Sequence, residues 1–149
     1  MRTTLTLALL VLPTLAVAQV DPADVTRVLT PRHAGAPCAE LMALGSEAEV
    51  TQALVTVADT VTMPPWVGTR AAHCVSLRID EDPVALHASE RWMTSPDTAG
   101  FALIVLGQLD AVKPVVRADL VTLATERIAT DATFASHVRP LLRRHDAAE

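Results

Sequence analysis

Proline opens most of the apolar-periodic stretches of this chain, at Pro22, Pro37, Pro65, Pro83, Pro96 and Pro114. Its ring holds φ near the helical value and it has no N–H to donate. It therefore suits the first turn of an α-helix and disrupts the interior. Between these prolines, apolar residues recur at i, i+3, i+4 and i+7, the spacing of one helix face. Only Phe101 to Leu106, six apolar residues in a row, would suit a buried strand, and no second strand candidate exists to pair with it. The expectation is an all-α fold of short helices joined by tight turns.

The stretch Pro64 to Val75 sets the pattern. Val67, Ala71, Cys74 and Val75 share one face, with Thr69 and Ser76 opposite. Upstream, Ser46-Glu47-Ala48-Glu49 is a capping box, since Ser46 and Glu49 can satisfy each other's exposed backbone donors. It opens a helix with an apolar stripe at Val50, Ala53, Leu54, Val57, Ala58 and Val61, which Met63-Pro64-Pro65 ends. Two amphipathic helices across so short a turn make an antiparallel hairpin. The same offsets return at Val116, Leu120, Leu123 and Ala124, and again at Phe134, Val138, Leu141 and Leu142. Arg78 and Arg127 then take matching positions at two helix ends, where the dipole favours a cation.

The remaining starts follow the same logic. Asp21-Pro22 and Asp82-Pro83 each place an N-cap before proline, and Ser95-Pro96-Asp97 opens a helix through the apolar run. Pro37 starts a short helix with Cys38, Leu41 and Met42 on one face, ended by Gly45 as a left-handed cap. Pro140 is expected to kink or end the last helix, because its ring clashes with the carbonyl of Ser136. The tail after Leu142 is expected to be solvated and frayed.

These helices resemble HEAT-type repeats, antiparallel pairs with a Pro-x-Val opening and a buried Ala/Leu row. Asp82-Pro83-Val84 and Lys113-Pro114-Val115-Val116-Arg117 carry the resemblance. It implies three pairs: Glu47–Thr60 with Pro65–Arg78, Pro83–Met93 with Pro96–Asp110, and Pro114–Arg127 with Asp131–Leu142. Three units is about the minimum such an α-solenoid needs. The first unit lacks the Asp-Pro start, and a non-repeating orthogonal bundle is the competing arrangement.

Arg2, the apolar Leu5 to Leu15 and the small-x-small Ala16-Val17-Ala18 read as a secretory signal peptide cleaved after Ala18. Residues 1–18 are the signal and 19–149 a single helical domain. The apolar run is short and broken by Pro13, which argues against a retained anchor. The product is expected to be periplasmic or extracellular, with no stable membrane anchor. In that setting Cys38 and Cys74 most simply form a disulfide; a free thiol pair and a two-cysteine metal site are the alternatives. Lys113 is the one lysine among 12 basic residues and Asn is absent, a bias that suggests a GC-rich bacterial genome. A net charge of −5 without a basic cluster gives no footprint for nucleic acid.

The sequence carries no phosphate-binding Gly-rich loop, no G-x-S-x-G elbow and no H-E-x-x-H helix. His87 and Glu90 stand one turn apart, with Trp92 nearby, but read as an exposed pair. The five histidines, His33, His73, His87, His137 and His145, include no i, i+4 pair, so no metal or other cofactor is expected. Asp80-Glu81-Asp82 reads as a turn whose last member caps a helix. Trp66, Arg70 and His73 edge the buried face of their helix and form a candidate partner surface, since Trp and Arg dominate such sites. The expected function is a non-enzymatic exported scaffold that binds another protein. The alternative is a small-ligand-binding protein or enzyme with its site in an inter-helix groove, near His87 and Trp92.

Overall fold

Most of the helices start at a residue that satisfies or dispenses with free N–H groups. The computed structural model of the chain describes residues 19–32 and 37–146, and among these it has eight α-helices. They are α1 (Pro22–Leu29), α2 (Cys38–Leu41), α3 (Glu47–Thr60), α4 (Pro65–Ser76), α5 (Pro83–Thr94), α6 (Ala99–Leu106), α7 (Pro114–Ile128) and α8 (Ala132–Asp146). Residues 1–18, which the sequence reads as a signal peptide, and His33 lie outside the described residues. Asp21 and Asp82 cap α1 and α5 by accepting from the N–H groups of Ala23 (2.8 Å) and Val84 (2.9 Å). Ser46 and Glu49 form both halves of the capping box on α3.

The helices pack in two interleaved rows. α3 touches α5 and α5 touches α7, while α4 touches α6 and α6 touches α8. Successive pairs α3–α4, α5–α6 and α7–α8 join the rows, and α1 extends the first row by packing on α3. Small residues make this closeness workable. Ala71, Ala72, Ala85, Ala102 and Ala124 are fully buried, and Gly68 is buried beside them. A Cβ on Gly68 would stand 3.3 Å from the Val61 carbonyl oxygen and 3.4 Å from that of Ala58, so α4 lies against the end of α3. The large core side chains are few. Trp92 and Phe134 are the bulkiest, and Trp92 tilts against Phe101 with ring centroids 5.2 Å apart.

Phe101 to Leu106 is helical, and α6 is flanked by α4, α5 and α8. Its start differs from expectation: Pro96–Thr98 is a separate 3₁₀ turn, and a second 3₁₀ turn, Leu109–Ala111, follows it. Gly45 is extended, at φ 178°, and is not a left-handed cap. What demands glycine there is proximity, since a Cβ would collide with the Val20 side chain. Pro140 does not end α8, which continues to Asp146 through the stretch expected to fray. Pro140 and Ser136 are both exposed, so the carbonyl that loses its partner faces water.

The two matched arginines both act as clamps, Arg127 buried and Arg78 only partly so, and their contacts differ. Arg78 turns to its own hairpin, donating to Thr51 Oγ1 (3.0 Å) and Glu47 Oε2 (2.7 Å) on α3. Arg127 reaches the preceding pair and donates to the carbonyls of Trp92, Met93 and Pro96 at 3.3–3.4 Å. Its guanidinium also lies 3.8 Å from the Phe134 ring centroid. Asp80 links pairs too: its carboxylate accepts the Lys113 backbone N–H (2.9 Å) at the start of α7. The acidic run is thus divided between capping α5 and holding α7.

Asp131 accepts the Phe134 N–H (2.8 Å) at the start of α8. That backbone hydrogen bond lowers its pKa below the usual value, with Arg127 adding to the effect. A carboxylate depressed in the folded state contributes stability above its unfolded pKa of about 3.9 and loses it as pH falls through the lower folded value. Asp131→Asn keeps a capping oxygen but cannot titrate. Thermal melts between neutral and acid pH are expected to show a shallower loss for the variant. Parallel acid limbs would remove Asp131 as a contributor.

Candidate functional site

The open surface of the first row is a groove. One cleft, about 350 Å³, lies among Gln19, Val20, Glu49 and Gln52, where the chain enters α1 beside α3. A second, about 430 Å³, lies between α3 and α5 and is lined by Val55, Asp59, His87 and Arg91 among others. Gln52, Thr56 and Val84 line both, so the two run into each other along α3. Val84 is an apolar residue on the first turn of α5, half exposed because nothing in the row covers it. Gln52 and Thr56 lie one turn apart on α3, on the side away from the core.

The far wall of the groove is built on an ion pair. Asp59 receives Arg91 through two bonds, Nη2 to Oδ2 (2.6 Å) and Nη1 to Oδ1 (3.3 Å). The Trp92 indole N–H also donates to Asp59 Oδ1 (3.0 Å). A carboxylate held by a forked guanidinium and an indole keeps one geometry. This pair also borders a third cleft of about 480 Å³, with Asp97 and Phe101 on its other side. The groove therefore offers a forked ion pair, amide and hydroxyl groups on α3, and an apolar floor. That combination can hold an extended or helical segment by shape and hydrogen bonds. It has no nucleophile paired with a base.

The residues singled out from sequence lie elsewhere. Trp66 donates from Nε1 to the Thr30 carbonyl (3.1 Å), with the Arg32 guanidinium 5.2 Å from its ring centroid. Arg70 donates to the carbonyls of Leu29 (2.8 Å), Pro31 (2.6 Å) and Arg32 (3.1 Å). The two side chains come together on the C-terminal end of α1, whose last carbonyls have no partner within the helix. The edge of α4 thus fastens α1 to the rest of the fold. His73 is half-buried on the same helix, and its carbonyl accepts the Ser76 hydroxyl (2.7 Å).

Cys38 and Cys74 form the disulfide, tying α2 to α4 across a sequence separation of 36. His87 is 82% exposed, and its Nδ1 stands 3.9 Å from Glu90 Oε2. Trp92 is fully buried, so only its N–H approaches the groove. Among the described residues no three His, Cys, Asp or Glu side chains are grouped as metal ligands, and no helix is long and apolar enough to cross a membrane.

Sequence reasoning passed over Asp59, Arg91, Gln52 and Thr56, because on isolated helices they belong to solvated faces. Only placing α3 and α5 side by side and parallel brings Asp59 and Arg91, 32 positions apart, into contact. Comparison with protein families, with curated proteins and with solved structures finds no match to this chain.

Proposed function

We propose that this chain is an exported, non-enzymatic HEAT-like scaffold whose groove along α1, α3 and α5 takes a segment of another protein. The stack reading is supported by the two rows, in which every second helix touches the next, and by the Asp-Pro and Lys-Pro starts of α5 and α7. The observation that carries the binding reading is the continuity of the two clefts through Gln52, Thr56 and Val84. A groove that spans neighbouring helices of a repeat stack suits an extended partner better than a small substrate. Export rests on the leader-like residues 1–18 and on the disulfide, which persists in an oxidising compartment. An enzyme centred on His87 and Trp92 is less well supported, with one side chain almost fully solvated and the other buried.

A photo-crosslinking residue at Gln52, in the chain exported by its own leader, is expected to capture one discrete protein. The same probe at Asp119, exposed on α7, is expected to capture none. Val84→Glu should remove the Gln52 adduct by placing a charge on the apolar floor. Equal labelling from both sites, or an adduct indifferent to Val84→Glu, would overturn the assignment.

A further inference from the structure

Glu49 lines the first cleft, and one of its carboxylate oxygens lacks a hydrogen-bond partner. Glu49 uses Oε2 in the capping box, where it accepts the Ser46 backbone N–H (3.0 Å) and the Ser46 hydroxyl (2.5 Å). Its Oε1 is shut off from water and has no hydrogen-bond donor. Buried polar atoms are almost always paired, so this oxygen marks a place for one. Gln19 and Val20 line the same cleft. Val20 and the Glu49 carboxylate both crowd Gly45, where an added Cβ would collide with Val20 and stand 3.3 Å from Glu49 Oε2. The start of the described chain therefore lies beside this carboxylate.

Gln19 is also the residue that cleavage after Ala18 makes N-terminal. We infer that Glu49 receives the α-ammonium of Gln19, so that removal of the leader creates the cation its unpaired oxygen requires. Before cleavage the Gln19 nitrogen is a neutral amide with a single N–H. Hydrolysis adds one water across the Ala18–Gln19 bond. The new carboxylate departs with residues 1–18, and the new amine stays on Gln19, protonated and carrying three donors. A charge-assisted bond from this group to Glu49 Oε1 pins Gln19 and Val20 against the start of α3. Maturation thus completes the end of the groove that these two residues line. The pairing also keeps the amine protonated, which withholds the lone pair it would need to attack its own side-chain amide and close a lactam.

The inference rests on the export reading, and the test separates the two. The N-terminus of the chain exported by its own leader is sequenced and its intact mass measured. A start at Gln19 with an open amine is expected. A retained leader overturns the export reading and the amine with it; a mass low by one ammonia, the lactam, overturns the pairing alone. Glu49→Gln keeps an acceptor for the capping box and removes the charge. It is compared in the native chain and in one with Gly-Ser-Gly-Ser inserted after Ala18, which carries the new amine away from the cleft. The melting-temperature loss caused by Glu49→Gln is expected to fall by at least half in the inserted chain, and equal losses overturn the pairing. By NMR, the amine should titrate above the ordinary range of about 7.7–8.0 in the native chain and return to it in Glu49→Gln. An ordinary value in the native chain overturns the pairing as well.

Discussion

Replacing Cys38 and Cys74 together by serine is expected to destabilise the fold by about 4 kcal/mol, the chain-entropy value for a loop of this length. For a domain of this size that corresponds to a fall in melting temperature of roughly 10 °C or more. The position of the bond explains why so much depends on it. α2 has four residues, too few to be stable as an isolated helix. Besides the disulfide, it is held by the buried Leu41, and the following turn by the contact of Arg78 Nη1 with Met42 Sδ (3.4 Å). Loss of the disulfide should therefore act unevenly. Hydrogen exchange is expected to accelerate first in α2 and the turn after it, while α5 to α8 keep their protection until global unfolding. Thermal melts with and without reductant, and exchange read by mass spectrometry, check both parts. A melting temperature unaffected by reduction would show that the loop is held by packing alone.

Arg127→Ala is expected to cost on the order of 3 kcal/mol, because it strands acceptors that are already out of water. The guanidinium serves the carbonyls of Trp92, Met93 and Pro96, pairs with Asp131 Oδ2 at 3.2 Å, and covers the ring of Phe134. Its side chain is only 6% exposed, so water cannot replace it without opening the junction of α5, α7 and α8. Arg127→Lys keeps the charge but loses the planar fork and the stacking, and should recover only part of the loss. Arg127→Met fills the volume over Phe134 and leaves the carbonyls unpaired, which separates packing from hydrogen bonding. Chemical denaturation of the three variants is expected to rank alanine as least stable. Equal stability of Arg127→Met and wild type would mean that the carbonyls find other donors.

Much of the helical framework was legible in the sequence because its signals are local. The Ser46–Glu49 capping box, Asp21-Pro22 and Asp82-Pro83 act within a single turn, and the helices begin where these residues place them. The stripe Val50, Ala53, Leu54, Val57 and Ala58 is buried as its period requires. Misreadings arose where a local rule met a non-local neighbour. Glycine at position 45 suggests a left-handed cap, yet Val20, distant in sequence, is what excludes a side chain there. Pro140 is expected from its ring to kink or end the helix, and it does not end it: α8 runs on to Asp146, with both Pro140 and Ser136 at the surface.

The Pro64–Val75 region shows the division most plainly. By itself the sequence determined a helix with Val67, Ala71, Cys74 and Val75 turned inward, and it made a Cys38–Cys74 disulfide the simplest of three readings, since periodicity and cysteine count are properties of the chain alone; the structure shows the bond. The outward edge was different. Whether Trp66 and Arg70 meet solvent, a partner or their own chain depends on which helix end lies opposite. Only the tertiary structure decided that, by bringing the unpaired carbonyls of α1 within hydrogen-bond reach. The groove was decided in the same way. Asp59 and Arg91 are unremarkable on separate helices and become one wall only when α3 and α5 lie side by side, because a surface between helices has no counterpart in the period of either.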